Sequence, residues 1–195
     1  MARSKVFDEI EVLDKAMHLF WKKGYNATSA QDLVDTLGIS RSSLYDTYGD
    51  KHKLYIEALK QYKKLRIDPV ISTLEKTEDM ESYIKALFEF MKTEAQSEGH
   101  LHGCFMINAT VEMAACDPEV MKIATEIMHA TEEALYKAIK KGQEKRVFSK
   151  NHSARALARF MINNWNGFRV TMKYENSKRA YDDIVQLSLA TLKGK

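Results

Sequence analysis

Cysteine, proline and glycine are all scarce in this chain, with two, two and eight copies in 195 residues. Cys104 and Cys116 cannot build a disulfide framework, which points to a reducing cytoplasm. So few prolines and glycines leave long stretches of the chain without helix breakers. No apolar run reaches the length of a membrane span, because Asn108 and Glu112 interrupt the most apolar stretch, Cys104 to Cys116. The first ten residues, Met-Ala-Arg-Ser-Lys-Val-Phe-Asp-Glu-Ile, turn acidic and amphipathic at once and lack a secretory core. A soluble protein without membrane contact is expected. Glycine-rich phosphate loops and nucleophile elbows are missing too, and no cofactor is expected.

What is present is helical. Hydrophobic residues make up 45% of the chain, enough for a sizeable core. They recur at helical rather than alternating spacing within runs of Leu, Ala, Lys, Glu and Met. The fold class read from this pattern is all-α. The formal net charge is +3, and residues 1–66 hold twelve Lys/Arg against nine Asp/Glu, whereas residues 67–195 hold eighteen of each. The positive excess therefore lies in the first third, where a phosphate backbone would be met.

Val6, Ile10, Leu13, Met17 and Phe20 fall on one face of a first helix that Gly24 ends. Thr28 or Ser29 caps a second, with Gln31 or Asp32 completing a capping box and Leu33, Val34 and Leu37 facing inward. Gly38 supplies a sharp turn, Ile39 plugs it, and Ser40 caps a third helix to about Tyr48 with Leu44 inside. A fourth helix starts near Lys51 with Leu54, Ala58, Leu59, Tyr62 and Leu65 on its apolar face, and continues to about Glu75 with a bend at Pro69. Further helices are predicted over Met80 to Ser97, Cys104 to Ala115, Pro118 to Lys145, His152 to Tyr174 and Lys178 to Lys193.

The segment from Ser29 to Tyr48 has the form of a helix-turn-helix whose second helix carries small polar residues outside. Small side chains let a helix sit deep in a major groove, and Ser40, Ser42 and Ser43 offer hydroxyls to phosphates or base edges. Arg41 is the best base reader, since a guanidinium can donate twice to guanine. An ordinary helical hairpin with a serine-rich cap has the same spacing.

The run Gly38-Ile39-Ser40-Arg41-Ser42-Ser43-Leu44-Tyr45, with Tyr48, Lys51 and Leu54 after it and Gly24-Tyr25 and Thr28-Ser29 before it, resembles the signature of TetR/AcrR regulators over residues 6 to 66. The resemblance implies that Thr28 or Ser29 anchors a phosphate, Arg41 to Ser43 face bases, and Tyr45 and Lys51 contact phosphates. Thr47 stands where many relatives carry a phosphate-binding histidine, Tyr48 replaces a core phenylalanine, and His52 a frequent glutamate. It also implies a homodimer on double-stranded operator DNA, with a helix-turn-helix domain at 1–66 and an effector-binding and dimerisation domain at 67–195, joined through the fourth helix. Repression relieved by a small-molecule effector is the family's usual polarity.

Gly103-Cys104 opening an apolar helix that ends in Glu112-Met113-Ala114, then Asp117-Pro118-Glu119-Val120, resembles a branch that includes electrophile- and oxidant-responsive repressors and also members triggered by a noncovalent ligand. The candidate effector residues are Cys104, Phe105, Glu112, Trp165, Phe168 and Arg169. Eight of the ten methionines lie between positions 80 and 172, which suits an adaptable pocket and equally an ordinary helix core. The resemblance implies that the last two helices, with Trp165, Phe168, Arg169 and Met172 on one and Tyr181, Ile184, Val185, Leu187, Ser188 and Leu192 on the other, pair with their copies in a dimer; some of these residues must face the chain's own core instead, and sequence does not divide the two sets. Two competing readings use the same region. Cys104, His102 and Glu112 could form a nucleophile and base, but no ordered triad signal accompanies them. His100, His102 and Cys104 could ligate a soft metal, but a fourth ligand is not evident and the spacing fits no common zinc pattern, so no metal is expected.

Overall fold

The computed structural model describes residues 7–95, 100–175 and 177–194. Val6 and the side chain of His100 lie outside the described residues. Helices α1 (Glu9–Lys23), α2 (Ala30–Leu37), α3 (Arg41–Tyr48) and α4 (Lys51–Tyr62) are followed by a π-helical stretch (Lys63–Ile67). Then come α5 (Asp68–Lys76), α6 (Met80–Ala95), α7 (Phe105–Met113), α8 (Pro118–Glu144), α9 (Ala154–Thr171) and α10 (Lys178–Lys193). No strand occurs among the described residues, in keeping with the all-α reading.

Local chemistry sets the helix ends. Asp8 accepts from the Ile10 and Glu11 N–H groups at the start of α1, Ser40 from Ser43 at α3, and Asp50 from Lys53 at α4. For α2 the capping box is Ser29 with Asp32, which decides between the sequence alternatives. Gly38 ends α2 in the left-handed region at φ 67°, where a side chain would be strained.

The helix after Asp50 does run past Pro69 to Lys76, but its irregularity lies upstream of the proline, at Lys63–Ile67. In a continuous α-helix the Pro69 ring would strike the carbonyl four residues back, at Leu65, and a widened π turn relieves that clash. The extra residue per turn also rotates Leu65 off the apolar stripe, so it is exposed rather than inward.

The chain forms two compact units, and one of them is discontinuous in sequence. The first contains the residues up to Ile67 together with Phe105–Thr125; the second contains Asp68–Cys104 and Glu126 onward. In the first unit α1 packs on α4 through Val12, Ala16, Met17 and Phe20 against Leu54, Tyr55, Ala58, Leu59 and Tyr62. Ile10 is not part of this face: it is 72% exposed, because the buried stripe of α1 is centred on 12, 16, 17 and 20 instead. Leu33, Leu37, Ile39 and Leu44 close the core beneath α2 and α3. Phe105 brings α7 into the same core, its ring edge-on to Tyr55 at 5.6 Å and to Tyr62 at 5.7 Å.

In the second unit, α5, α6, α8, α9 and α10 bury Leu74, Ile84, Phe88, Met91, Leu135, Ile139, Met161, Phe168, Tyr181 and Leu192 in one cluster. Phe148 closes one end of it against Gly142, where an added Cβ would meet the ring at 2.3 Å. Among the described residues no helix is long and apolar enough to cross a membrane.

Phe105 is 1% exposed and bridges two aromatic side chains of α4. Phe105→Ala is expected to lower stability by about 3–5 kcal/mol through lost burial and a residual cavity. A urea titration followed by circular dichroism checks this, and an unchanged midpoint would remove the ring from the core.

Candidate nucleic-acid interface

The α2–α3 pair is built around the turn at Gly38 and Ile39. Ser29 Oγ accepts from the Asp32 N–H at 3.1 Å, and Asp32 Oδ2 accepts from the Ser29 N–H at 2.7 Å. Lys23 donates to the same carboxylate at 2.5 Å. The Lys23 and Ser29 hydrogen bonds hold the Asp32 carboxyl well below the usual carboxylate range. Thr28 is buried and its hydroxyl donates to the Gly24 carbonyl at 2.5 Å. Of the two candidate phosphate anchors, Ser29 is therefore the one at the surface.

On α3 the buried residue is Leu44, while Ser40, Arg41, Ser42 and Tyr45 are exposed. Ser40 Oγ caps the helix by accepting from the Ser43 N–H at 3.1 Å, donates to Ser43 Oγ at 2.9 Å and lies 3.0 Å from Ser42 Oγ. These bonds gather three hydroxyls at the N-terminal end of α3, whose first residue is Arg41. Thr47 is half-buried. Tyr48 is half-buried as well, and its hydroxyl donates to the Glu9 carbonyl at 3.2 Å, tying α3 to the start of α1. Lys51 opens α4 with its Nζ 4.3 Å from the centre of the Tyr25 ring. Burial lowers the pKa of its ammonium, while Glu112 and Asp32 act in the opposite sense.

The candidate effector residues fall in different places. Trp165, Phe168 and Arg169 share α9 in the second unit, where Trp165 packs on Phe88, Phe168 packs on Tyr181 at 5.0 Å, and Arg169 donates to Glu94 at 2.5 Å. Gly103, at φ 59°, lies against the end of that helix: an added Cβ would come within 3.0 Å of the Arg169 carbonyl oxygen and 2.6 Å of Lys173 Cε. Cys104, half-buried, follows it. Phe105 and Glu112 belong to the first unit. Among the described residues no cluster of three or more His, Cys, Asp or Glu is arranged to hold a metal ion.

Two contacts in the first unit had no signal in the sequence reading. Glu112 accepts from the Tyr25 and Asn26 N–H groups at 3.0 and 2.8 Å. Asp117 caps α8 by accepting from the Glu119 and Val120 N–H groups and also binds His52 Nε2 at 2.6 Å. Burial raises the Asp117 pKa, but the Val120 N–H, His52 and the Glu119 N–H together hold the carboxyl below its usual value. With Asp117 ionised, His52 Nε2 is the donor. The Asp117-Pro118 pair carries a legible helix start, whereas nothing local announces its second partner.

The first helical segment, residues 12–58, matches the description "Bacterial regulatory proteins, tetR family", and residues 81–187 match "Tetracyclin repressor-like, C-terminal domain". The uncharacterised HTH-type transcriptional regulator YezE of Bacillus subtilis is 30% identical over 193 residues, covering 98% of this chain and 100% of YezE. The HTH-type transcriptional repressor ComR of Escherichia coli is 37% identical over 111 residues, 54% of this chain and 51% of ComR. Among solved structures, a cysteine mutant of the TetR family regulator CifR in complex with a 26-bp double-strand operator DNA superposes with a TM-score of 0.84 at 20% identity, covering 98% of this chain and 100% of the CifR chain. With a capped helix-turn-helix at its start and both family regions matched, this chain belongs to the TetR family of helix-turn-helix transcriptional regulators.

Proposed function

We propose that the chain is a homodimeric repressor that reads a palindromic operator through α2 and α3 and is released when an effector occupies its second unit. Residues 1–66 are the reading domain, and residues 67–195 sense and dimerise. The carrying observation is the two-faced α3: Leu44 is buried, and the opposite face presents Ser40, Arg41, Ser42 and Tyr45 to solvent. Arg41 to Ser43 read bases, while Ser29, Tyr45, Thr47 and Lys51 hold phosphates on either side. The repressor sense is supported by ComR, which is named a repressor, and the DNA partner by the CifR operator complex.

Dimerisation is supported by what α9 and α10 leave uncovered. Ala156, Phe160, Asn163, Gly167 and Val170 form a stripe at steps of four, three, four and three along the exposed side of α9, and Leu187 on α10 is 70% exposed. Small and apolar residues at that spacing let a second helix approach closely. A C2 dimer then holds two copies of α3 about 34–36 Å apart, the repeat of successive major grooves. An effector that favours another arrangement of the dimer spoils that spacing.

Binding is expected in the nanomolar range to a palindromic duplex selected by the wild-type protein from a randomised pool. Arg41→Ala should relax sequence preference, and Lys51→Ala should weaken selected and random DNA alike, lowering the salt slope by about one unit. Fluorescence anisotropy at several salt concentrations checks both; equal effects of the two substitutions on specificity would sink the assignment of roles.

Because Leu187 is exposed in the single chain, Leu187→Lys should leave helicity intact while shifting the protein toward monomer and weakening duplex binding at least tenfold. Light scattering with gel shift measures this. A monomer that retains full affinity would defeat the dimer.

An electrophile is a second class of effector, favoured by the half-buried thiol of Cys104 next to Gly103 and close in sequence to His102. Mild alkylation should release DNA from wild type and Cys116→Ser but not from Cys104→Ser, with labelled thiol followed by mass. Labelling of Cys104 without change in affinity would leave only noncovalent effectors.

A further inference from the structure

We propose that Glu112 and Asp117, both outside the helix-turn-helix, are positioning residues for DNA reading: two carboxylates that set the approach to α2 and the start of α4. The inference rests on the reading of α2 and α3 as the operator-contacting helices.

Glu112 acts on the turn between α1 and α2. Its two oxygens each accept one of two successive backbone N–H groups, Tyr25 at 3.0 Å and Asn26 at 2.8 Å. The preceding Gly24 has φ 82°, and an added Cβ there would lie 2.9 Å from Glu112 Oε2 and 3.3 Å from Oε1. The glycine therefore does more than end α1: it leaves room for a carboxylate to reach the turn. From that point the backbone is tied forward to α2. The Thr28 N–H donates to the Tyr25 carbonyl, the Thr28 hydroxyl donates to the Gly24 carbonyl, and Ser29 is the next residue, the N-cap. A shift of the Glu112 carboxylate is thus a shift of the α2 N-terminus.

Asp117 acts on the other flank of α3. It is 8% exposed, caps α8, and accepts a hydrogen bond from Nε2 of His52, which neighbours Lys51. The two carboxylates converge on one residue, Glu112 directly and Asp117 through His52. Tyr25 has its N–H on Glu112, its ring under the Lys51 ammonium at 4.3 Å, and its ring perpendicular to that of His52 with centroids 6.3 Å apart. The two candidate phosphate-holding points flanking α3, Ser29 and Lys51, are therefore located by α7 and the start of α8. Those segments enter from the second unit at Cys104 and return to it after Thr125.

A purely structural role predicts lost stability with unchanged affinity in the folded protein, whereas positioning predicts lost affinity below the melting transition. Full-length Glu112→Gln keeps the side-chain size but sets an NH2 group against a backbone N–H. At a temperature where circular dichroism and light scattering show the folded dimer, its affinity for the selected duplex should fall about tenfold, and its affinity for random duplex less than threefold. His52→Ala, at a half-exposed site, should lose about threefold, and His52→Gln, which restores a donor to Asp117, should recover most of it. If Glu112→Gln does not fold, the His52 pair decides. Glu112→Gln or His52→Ala binding within error of wild type, while Arg41→Ala is impaired, overturns the positioning role and leaves the reading of α3 standing. If Arg41→Ala is also unimpaired, the reading of α3 itself has failed.

Discussion

The helix-turn-helix depends on a packing constraint: α1 must lie against α4 around the Tyr55 ring, which is fully buried with Phe20 at 5.0 Å, Tyr25 at 4.9 Å and Phe105 at 5.6 Å. Edge-to-face and tilted contacts of this kind add to plain area burial and fix ring orientation. Burial pushes the Tyr55 hydroxyl well above its ordinary pKa, with the Glu112 and Asp117 carboxylates adding in the same sense, so it stays neutral. Short helices such as α2 and α3, eight residues each, are not stable alone. They are held by packing, α2 on α1 and α3 on α4, with Leu33, Leu37, Ile39 and Leu44 buried.

The same constraint explains why the first compact unit takes residues from far along the chain. Four helices in about sixty residues bury a smaller fraction of their surface than a larger domain does. Phe105, Met106, Ala109 and Met113 from α7, with Val120 and Ile123 from α8, enlarge that core. The polar residues on the same segments, Glu112 and Asp117, then meet backbone and side-chain donors where a helix surface alone would have met water. Hydrogen bonds to a charged group are stronger than those between neutral groups, which makes this corner directional as well as cohesive.

The second unit follows a different economy of side chains. Methionines 80, 91, 161 and 172 are buried in its core, beside Phe88, Phe168 and Tyr181. Flexible thioethers fill irregular gaps between helices without dictating one packing. Charged residues are arranged at its edges rather than its centre: Glu78 with Lys141 and Lys145, and Glu81 with Lys85 and Lys193. Exposed pairs like these contribute little each. Arg169 with Glu94 is more enclosed and joins α9 to α6.

Much of the fold was legible in the sequence because its signals are local. The caps at Ser29, Ser40 and Asp50, the glycine at 38, and the 3.6-residue spacing of Leu54, Ala58, Leu59 and Tyr62 each act within four or five residues, so the helices and the helix-turn-helix could be read directly. The two-faced character of α3 was legible for the same reason. What tertiary structure decided lies at long range. The choice between Thr28 and Ser29 turned on burial against the Gly24 carbonyl, and the place of Ile10 on how α1 rolls onto α4. The division of α9 and α10 into buried Phe168, Met172, Tyr181, Val185, Ser188 and Leu192 and exposed Val170 and Leu187 depended on which neighbours pack on each side. Glu112 reaches across 86 and 87 residues to Asn26 and Tyr25, and Asp117 across 65 to His52. A carboxylate carries no mark of its eventual donor, because the free energy of that contact exists only after both helices have been placed by their apolar faces.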